Sequence, residues 1–125
     1  MAKFLSTEFF NELVAALSAD EKWKESTKGI KTSILMTVTD TGSSHLLAVD
    51  QAVTSVQPSP QGASPEFSFE GTYDAWSKVA KGEMDMQSAV LKGQLKFKGS
   101  ITKILMYRDR FMRIADVMNS VPKEF

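Results

Sequence analysis

The chain of 125 residues contains no cysteine, one histidine and no net charge, 15 Lys and Arg balancing 15 Asp and Glu. Without cysteine there can be no disulfide framework, no thiolate zinc site and no cysteine nucleophile. The single imidazole, His45, cannot build a histidine-rich metal site, and no acid–His–nucleophile spacing surrounds it. It follows Gly42-Ser43-Ser44 at the start of a predicted strand and is expected to be solvated or locally hydrogen-bonded. Charge neutrality removes the bulk electrostatic drive for nucleic-acid binding. No apolar run reaches the ~20 residues that span a bilayer. Glu8 and Glu12 break up the N-terminal apolar residues, so a signal-peptide core is not expected there. These absences point to a cytoplasmic protein that needs no cofactor or metal.

Flexible apolar side chains are what the chain has in excess. Seven methionines and eight phenylalanines stand against two tyrosines, and 42% of residues are hydrophobic, too many for a disordered chain. Methionine is unbranched and polarizable, and it adapts to irregular apolar shapes. Met36, Met84, Met86, Met106, Met112 and Met118 are therefore either ordinary core fillers or the walls of an adaptable cavity.

Periodicity gives the element order. Phe10, Leu13, Val14 and Leu17 fall on one helical face behind a Ser6 or Thr7 cap. Ser18 with Glu21 forms a capping-box pattern that predicts a second short helix, anchored by Trp23 and ended by Gly29. Ile34, Met36 and Val38 alternate with Leu35, Thr37 and Thr39, as in a strand. Residues 46–49 and 53–56 read as two more strands, although Asp50-Gln51-Ala52 carries no strong turn signal. Pro58, Pro60 and Pro65 with Gly62 predict a loop. A fourth strand at 66–70 precedes two short helices, around Trp76 and over 86–91. The fifth strand is 94–98. Ile101, Ile104 and Leu105 then lead into Phe111, Ile114, Ala115 and Met118, with helical spacing up to Pro122. The fold class expected is α+β, a five-stranded mixed, mostly antiparallel sheet with helices packed on one face. About 23 residues separate strands four and five, enough for a right-handed parallel crossover. No linker divides the chain, so residues 1–125 read as a single domain.

The stretch Gly82-Glu83-Met84-Asp85-Met86-Gln87-Ser88-Ala89-Val90-Leu91-Lys92-Gly93-Gln94-Leu95-Lys96-Phe97-Lys98-Gly99 resembles the signature segment of the sterol carrier protein 2 family. The likeness extends back through Thr72-Tyr73-Asp74-Ala75-Trp76 and Val79, and to Trp23 with Lys28-Gly29-Ile30. The residues also make sense physically. Gly82 and Gly93 permit left-handed helix ends. Leu95 and Phe97 point at the core, while Lys96 and Lys98 face water and protect an edge strand. The resemblance implies a stand-alone carrier that binds a fatty acid, acyl-CoA or sterol-like lipid in an apolar tunnel between sheet and helices.

The tunnel walls are then expected among Ile34, Met36, Val38, Phe67, Phe69, Trp76, Met86, Val90, Leu105, Met106, Phe111, Met112 and Met118. The C-terminal helices, held by Phe111, Ile114 and Met118, are the expected gate. Between residues 92 and 113, seven basic residues face Asp109 alone. Of these, Lys103, Arg108 and Arg110 are candidates to attract an anionic head group or an anionic membrane surface. The expected state is a monomer or homodimer with no nucleic-acid partner. The aromatics Phe97, Tyr107 and Phe111 suit inward faces better than a stacking platform. Two other readings of the same pattern stand beside the carrier. One is a cofactor-free enzyme with an Asp or Glu as general base inside the cavity, although Asp40, Asp50, Glu70 and Asp74 fall at strand ends or a helix start and suit turn and cap roles. The other is an accessory module whose groove takes a partner helix.

Overall fold

A computed structural model describes residues 2–58 and 65–124 of the chain. The chain enters through a two-residue strand, β1 (Ala2–Lys3), and runs into helix α1 (Thr7–Ala19). The Ser6 side chain caps α1 by accepting from the Phe9 amide, and Glu8 sits at the positive end of the helix. Phe9, Phe10, Leu13 and Leu17 are buried beneath it. Helix α2 (Glu21–Ser26) is capped by Asp20 rather than by Ser18, because Asp20 lies one residue before it and accepts from the Trp23 amide at 2.8 Å. Trp23 is buried as expected, and its indole donates to Thr54.

The main sheet is built from β2 (Lys31–Val38), β3 (Ser43–Asp50), β4 (Val53–Pro58), β5 (Phe67–Gly71) and β6 (Leu95–Lys98), in the order β4-β3-β2-β5-β6. Helices α3 (Tyr73–Ala80) and α4 (Met86–Leu91) lie between β5 and β6; α5 (Ile101–Met106) and α6 (Arg108–Ser120) follow β6. The sheet is mixed, as expected, but the parallel pair is β2 with β5. Strands β5 and β6, for which a crossover was available, pair antiparallel. The helices α3 and α4 form a return excursion that brings the chain back beside β5. A last strand, β7 (Lys123–Glu124), pairs parallel with β1 and ties the two ends of the chain together.

One turn and one strand end depart from what periodicity predicts. The β3–β4 reversal is a two-residue turn at Gln51-Ala52, with φ of 51° and 69°. That left-handed geometry is what a tight hairpin demands, but it usually selects Asn or Gly. At the proline-rich segment, β4 extends to Pro58 as an edge strand. Pro60 and Gly62 lie outside the described residues.

Strand register stacks the inner face in rows. His45, Met36, Phe69 and Phe97 are successive partners across four strands, and Val56, Leu47, Ile34 and Phe67 form the neighbouring row. All but Val56 and Phe97 are buried. Each large apolar side chain so buried contributes about 1.5–3 kcal/mol. The end of β6 must pass close to β5. A side chain at Gly99 would put its Cβ 2.9 Å from the Glu66 carbonyl oxygen, and φ there is 145°.

One polar tie holds the helical layer together. Arg113 Nε donates to Asp20 Oδ2 at 2.8 Å, and Nη2 donates to Oδ1. The guanidinium, together with the Trp23 amide, holds the Asp20 carboxyl well below its ordinary 3.8, at about 2. Because the folded-state value is depressed, this stabilisation is complete above the ordinary value and is lost as pH falls towards 2. Asp20→Asn keeps the cap acceptor but loses the ion pair. It should cost about 1–2 kcal/mol at neutral pH and flatten the stability profile between pH 4 and 2, measured by urea denaturation. Ala52→Gly should instead stabilise the hairpin by about 1 kcal/mol in the same assay, by relieving the left-handed alanine.

Candidate functional site

The inner ends of β5 and β6 face α5 and α6 across a cluster of aromatic rings. Phe67 packs against Phe111 (5.2 Å between centroids, edge-on) and Tyr107 (5.5 Å). Phe69 meets Phe97 at 5.2 Å and Phe111 at 5.5 Å. Sequence places these rings simply. Phe67 and Phe69 are two apart on a strand, so they share a face. Tyr107 and Phe111 are four apart and sit one helical turn above the other. The space in which a tunnel was expected is therefore filled by rings.

Beside this cluster, a narrow crevice of about 110 Å³ runs between α4 and α5. Its walls are Gln87, Val90 and Leu91 from α4 and Ile101, Ile104 and Leu105 from α5. Ile104 belongs both to this wall and to the buried core. Gln87 Nε2 donates to the Ile104 carbonyl at 3.3 Å, a polar link between the two short helices. The outer lip is unusually apolar: Leu91 is 87% exposed, Ile101 64%, Leu105 63% and Met106 66%. Such neighbouring exposed aliphatics are more than an isolated surface leucine and mark an interaction surface.

The structure brings together only part of the expected wall. Phe67, Phe69 and Phe111 form the aromatic cluster, and Val90 lines the crevice. Ile34, Met36 and Val38 lie inward on β2, and Met86 and Met118 are buried in the same core. Trp76 is buried and its indole donates to the Thr37 carbonyl at 3.0 Å, a structural anchor for α3. Three assignments are corrected. Leu105 is a lip residue rather than an interior one, Met106 is on the surface, and Met112 is an exposed residue of a separate groove with Glu83, Asp85 and Asp116. The cause is the break at Tyr107 between α5 and α6, which resets the inward face within the expected helical stretch. Ile104, Ile101, Leu91 and Gln87 were absent from the expected site. Ile101 and Ile104 were read only as a helical stripe.

The expected head-group cations differ in freedom. Lys103 is bound to Glu66 at 2.6 Å, which raises the lysine and, with Thr32, lowers the carboxyl. Arg110 Nε donates to the Ser26 carbonyl at 2.8 Å, and its guanidinium lies 5.1 Å from the Tyr107 ring centroid. Arg110 is therefore a brace between α6 and α2 and is corrected from the head-group role. Arg108 is exposed, as is Lys92, which lines the separate groove with Glu83, Asp85 and Asp116. His45, expected at the surface or in a local bond, is buried; its Nε2 lies 3.1 Å from Thr7 Oγ1, and its ring stacks on Phe10. Among the described residues, no group of His, Asp and Glu is arranged to hold a metal ion, and no helix is long and apolar enough to cross a membrane.

A one-sided, five-stranded α+β sheet whose short helices α4 and α5 guard an apolar interior matches a known architecture. Residues 10–111 match the model of the SCP-2 sterol transfer family, and the chain belongs to that family. The crystal structure of sterol carrier protein 2 superposes with a TM-score of 0.85 at 17% identity, covering 96% of this chain and 100% of that one. A conserved hypothetical protein from Thermus thermophilus, described as possibly a sterol carrier protein, gives 0.81 at 15% identity, over 99% and 93% of the two chains. Palmitated SCP2L2 from Aedes aegypti gives 0.60 at 14% identity, over 91% and 95%. At these identities the structural likeness speaks to fold alone. No curated protein sequence matches the chain.

The ring cluster makes a direct prediction. Phe111→Ala should cost about 3–5 kcal/mol in chemical denaturation, because a buried ring leaves a cavity. Met112→Ala, one residue away but exposed, should change stability by less than about 0.5 kcal/mol.

Proposed function

We propose that this protein is a cytoplasmic lipid carrier rather than a catalyst. It binds a long-chain fatty acid or acyl-CoA with its tail between the sheet and α5. The observation that carries this reading is the crevice between α4 and α5, where the exposed lip leads through Ile104 to the buried core. Membership of a sterol transfer family and fold likeness to a palmitated protein support the choice of an apolar ligand.

At about 110 Å³ the crevice is smaller than the ~300–1,000 Å³ typical of ligand pockets, so α5 moves outward to admit a tail. A short helix with three mostly exposed apolar side chains is a cheap element to displace. Each CH₂ buried contributes about 0.8 kcal/mol, against the cost of ordering the ligand and opening the helix pair. The crevice walls are aliphatic apart from Gln87, which suits a container better than acid–base chemistry. The apolar lip, with the exposed Arg108 following α5, would also touch an anionic membrane during loading and release.

Native mass spectrometry with organic extraction should find a co-purified lipid, and delipidated protein should take up a fluorescent long-chain fatty acid. The double substitution Ile101→Asp and Leu105→Asp alters only the exposed lip and should weaken that uptake at least about tenfold while the fold persists. Lipid-free protein that takes up no fatty acid, or uptake unaffected by the double substitution, would contradict the proposal.

A further inference from the structure

A different cleft, of about 700 Å³, opens where the N-terminal strap crosses the end of β2 and the start of α3. Its size lies within the usual range for small-molecule pockets. Phe4, Leu5, Val38 and Tyr73 supply apolar wall, and His45 and Thr7 supply polar wall. It is separate from the α4–α5 crevice. The row of side chains from His45 towards Phe97 passes through Met36 and Phe69, both closed to solvent.

Two features of this cleft, the Tyr73 hydroxyl and the Leu5 backbone, are unexplained by the fold, and the state of His45 bears on what it can bind. The Tyr73 hydroxyl is buried and has no hydrogen-bond partner among the described residues. A buried hydroxyl left unpaired is costly, and an acceptor brought by a ligand would relieve it. His45 is only 5% exposed, and burial pushes its imidazole below the ordinary 6.5, so it is neutral at neutral pH. It is therefore a neutral hydrogen-bonding group already held in place by Thr7 and by the Phe10 ring. Finally, Leu5 in the strap has φ of 64°, a strained left-handed conformation for a leucine. The Phe4 ring packs edge-on against Tyr73 at 5.6 Å between centroids, so a ligand that reaches the Tyr73 hydroxyl displaces that ring.

Charge narrows the occupant. The lining holds one cation, Lys3, against one carboxylate, Asp40, and Glu8 follows Thr7 in the first turn of α1. That balance gives the cleft no net charge to favour an anion. We propose that this cleft is a second binding site, for a small uncharged molecule with an apolar body and one carbonyl or hydroxyl group. The Tyr73 hydroxyl would donate to that group.

The chain has one histidine, so the imidazole NMR signal reports this cleft without ambiguity. Titration of delipidated protein with cyclohexanone should shift the His45 ring signals saturably. Cyclohexanecarboxylate at neutral pH should bind at least about tenfold more weakly. Tyr73→Phe, which removes only an unpaired hydroxyl and leaves the ring packing, should weaken cyclohexanone about tenfold. Prior loading with palmitate should leave the cyclohexanone titration unchanged. The proposal is overturned by the absence of a saturable shift, by equal binding of the carboxylate, by equal binding to Tyr73→Phe, or by displacement of cyclohexanone by palmitate. Because the titration uses lipid-free protein, its failure does not depend on whether the α4–α5 crevice takes up lipid.

Discussion

The parallel pairing of β2 with β5 is the constraint from which the rest of the molecule follows. It sets Ile34 beside Phe67 and Met36 beside Phe69, placing two phenylalanines at the centre of the inner face. Those rings need cover, and α6 supplies it with Phe111, which meets both. β6 adds Phe97 from the other side, and Gly99 lets the chain turn past the Glu66 carbonyl into α5. The position of α5, and hence of the crevice against α4, is thus inherited from how β5 is paired. A sheet with β5 elsewhere would have neither the aromatic floor nor the lip above it.

The molecule is firm in one place and yielding in another, for reasons visible in its contacts. α6 is locked by the Arg113–Asp20 pair and by Arg110 on the end of α2, and its Phe111, Ile114 and Met118 are buried. α5 offers Ile104 alone to the core. The expected gate was the C-terminal helices around Phe111, Ile114 and Met118. Burial makes α6 the more firmly held of the two, while α5 buries Ile104 and is tied to Glu66 through Lys103.

Much of this was legible in the sequence, where local pattern and tertiary demand agree. The alternation of Ile34, Met36 and Val38 marked the inward face of β2. The spacing Gly93, Leu95, Phe97, Gly99 marked the edge strand and its exits, and the same segment carried the family resemblance. What stayed hidden depended on breaks in pattern or on long-range partners. Tyr107 interrupts a helical stripe without proline or glycine to announce it, so Leu105, Met106 and Met112 were assigned to the wrong surroundings. The Asp20 ion pair was hidden because its partner, Arg113, lies 93 residues away. His45 looked like a polar residue at a turn. Its burial follows from the pairing with Met36 on the inner face and from the Phe10 ring above it. The crevice itself was not legible, because it depends on how α4 approaches α5.

The central claim is that a lipid tail enters between α4 and α5 and lies over the aromatic floor. Paramagnetic broadening by a stearate carrying a nitroxide near its methyl end tests this directly. The account predicts that the signals of Ile104, Phe67 and Phe111 broaden selectively, while the outward-facing Ala48 and Ser55 on β3 and β4 keep their intensity. Broadening centred on those outer residues, or no broadening of the aromatic cluster, would contradict it.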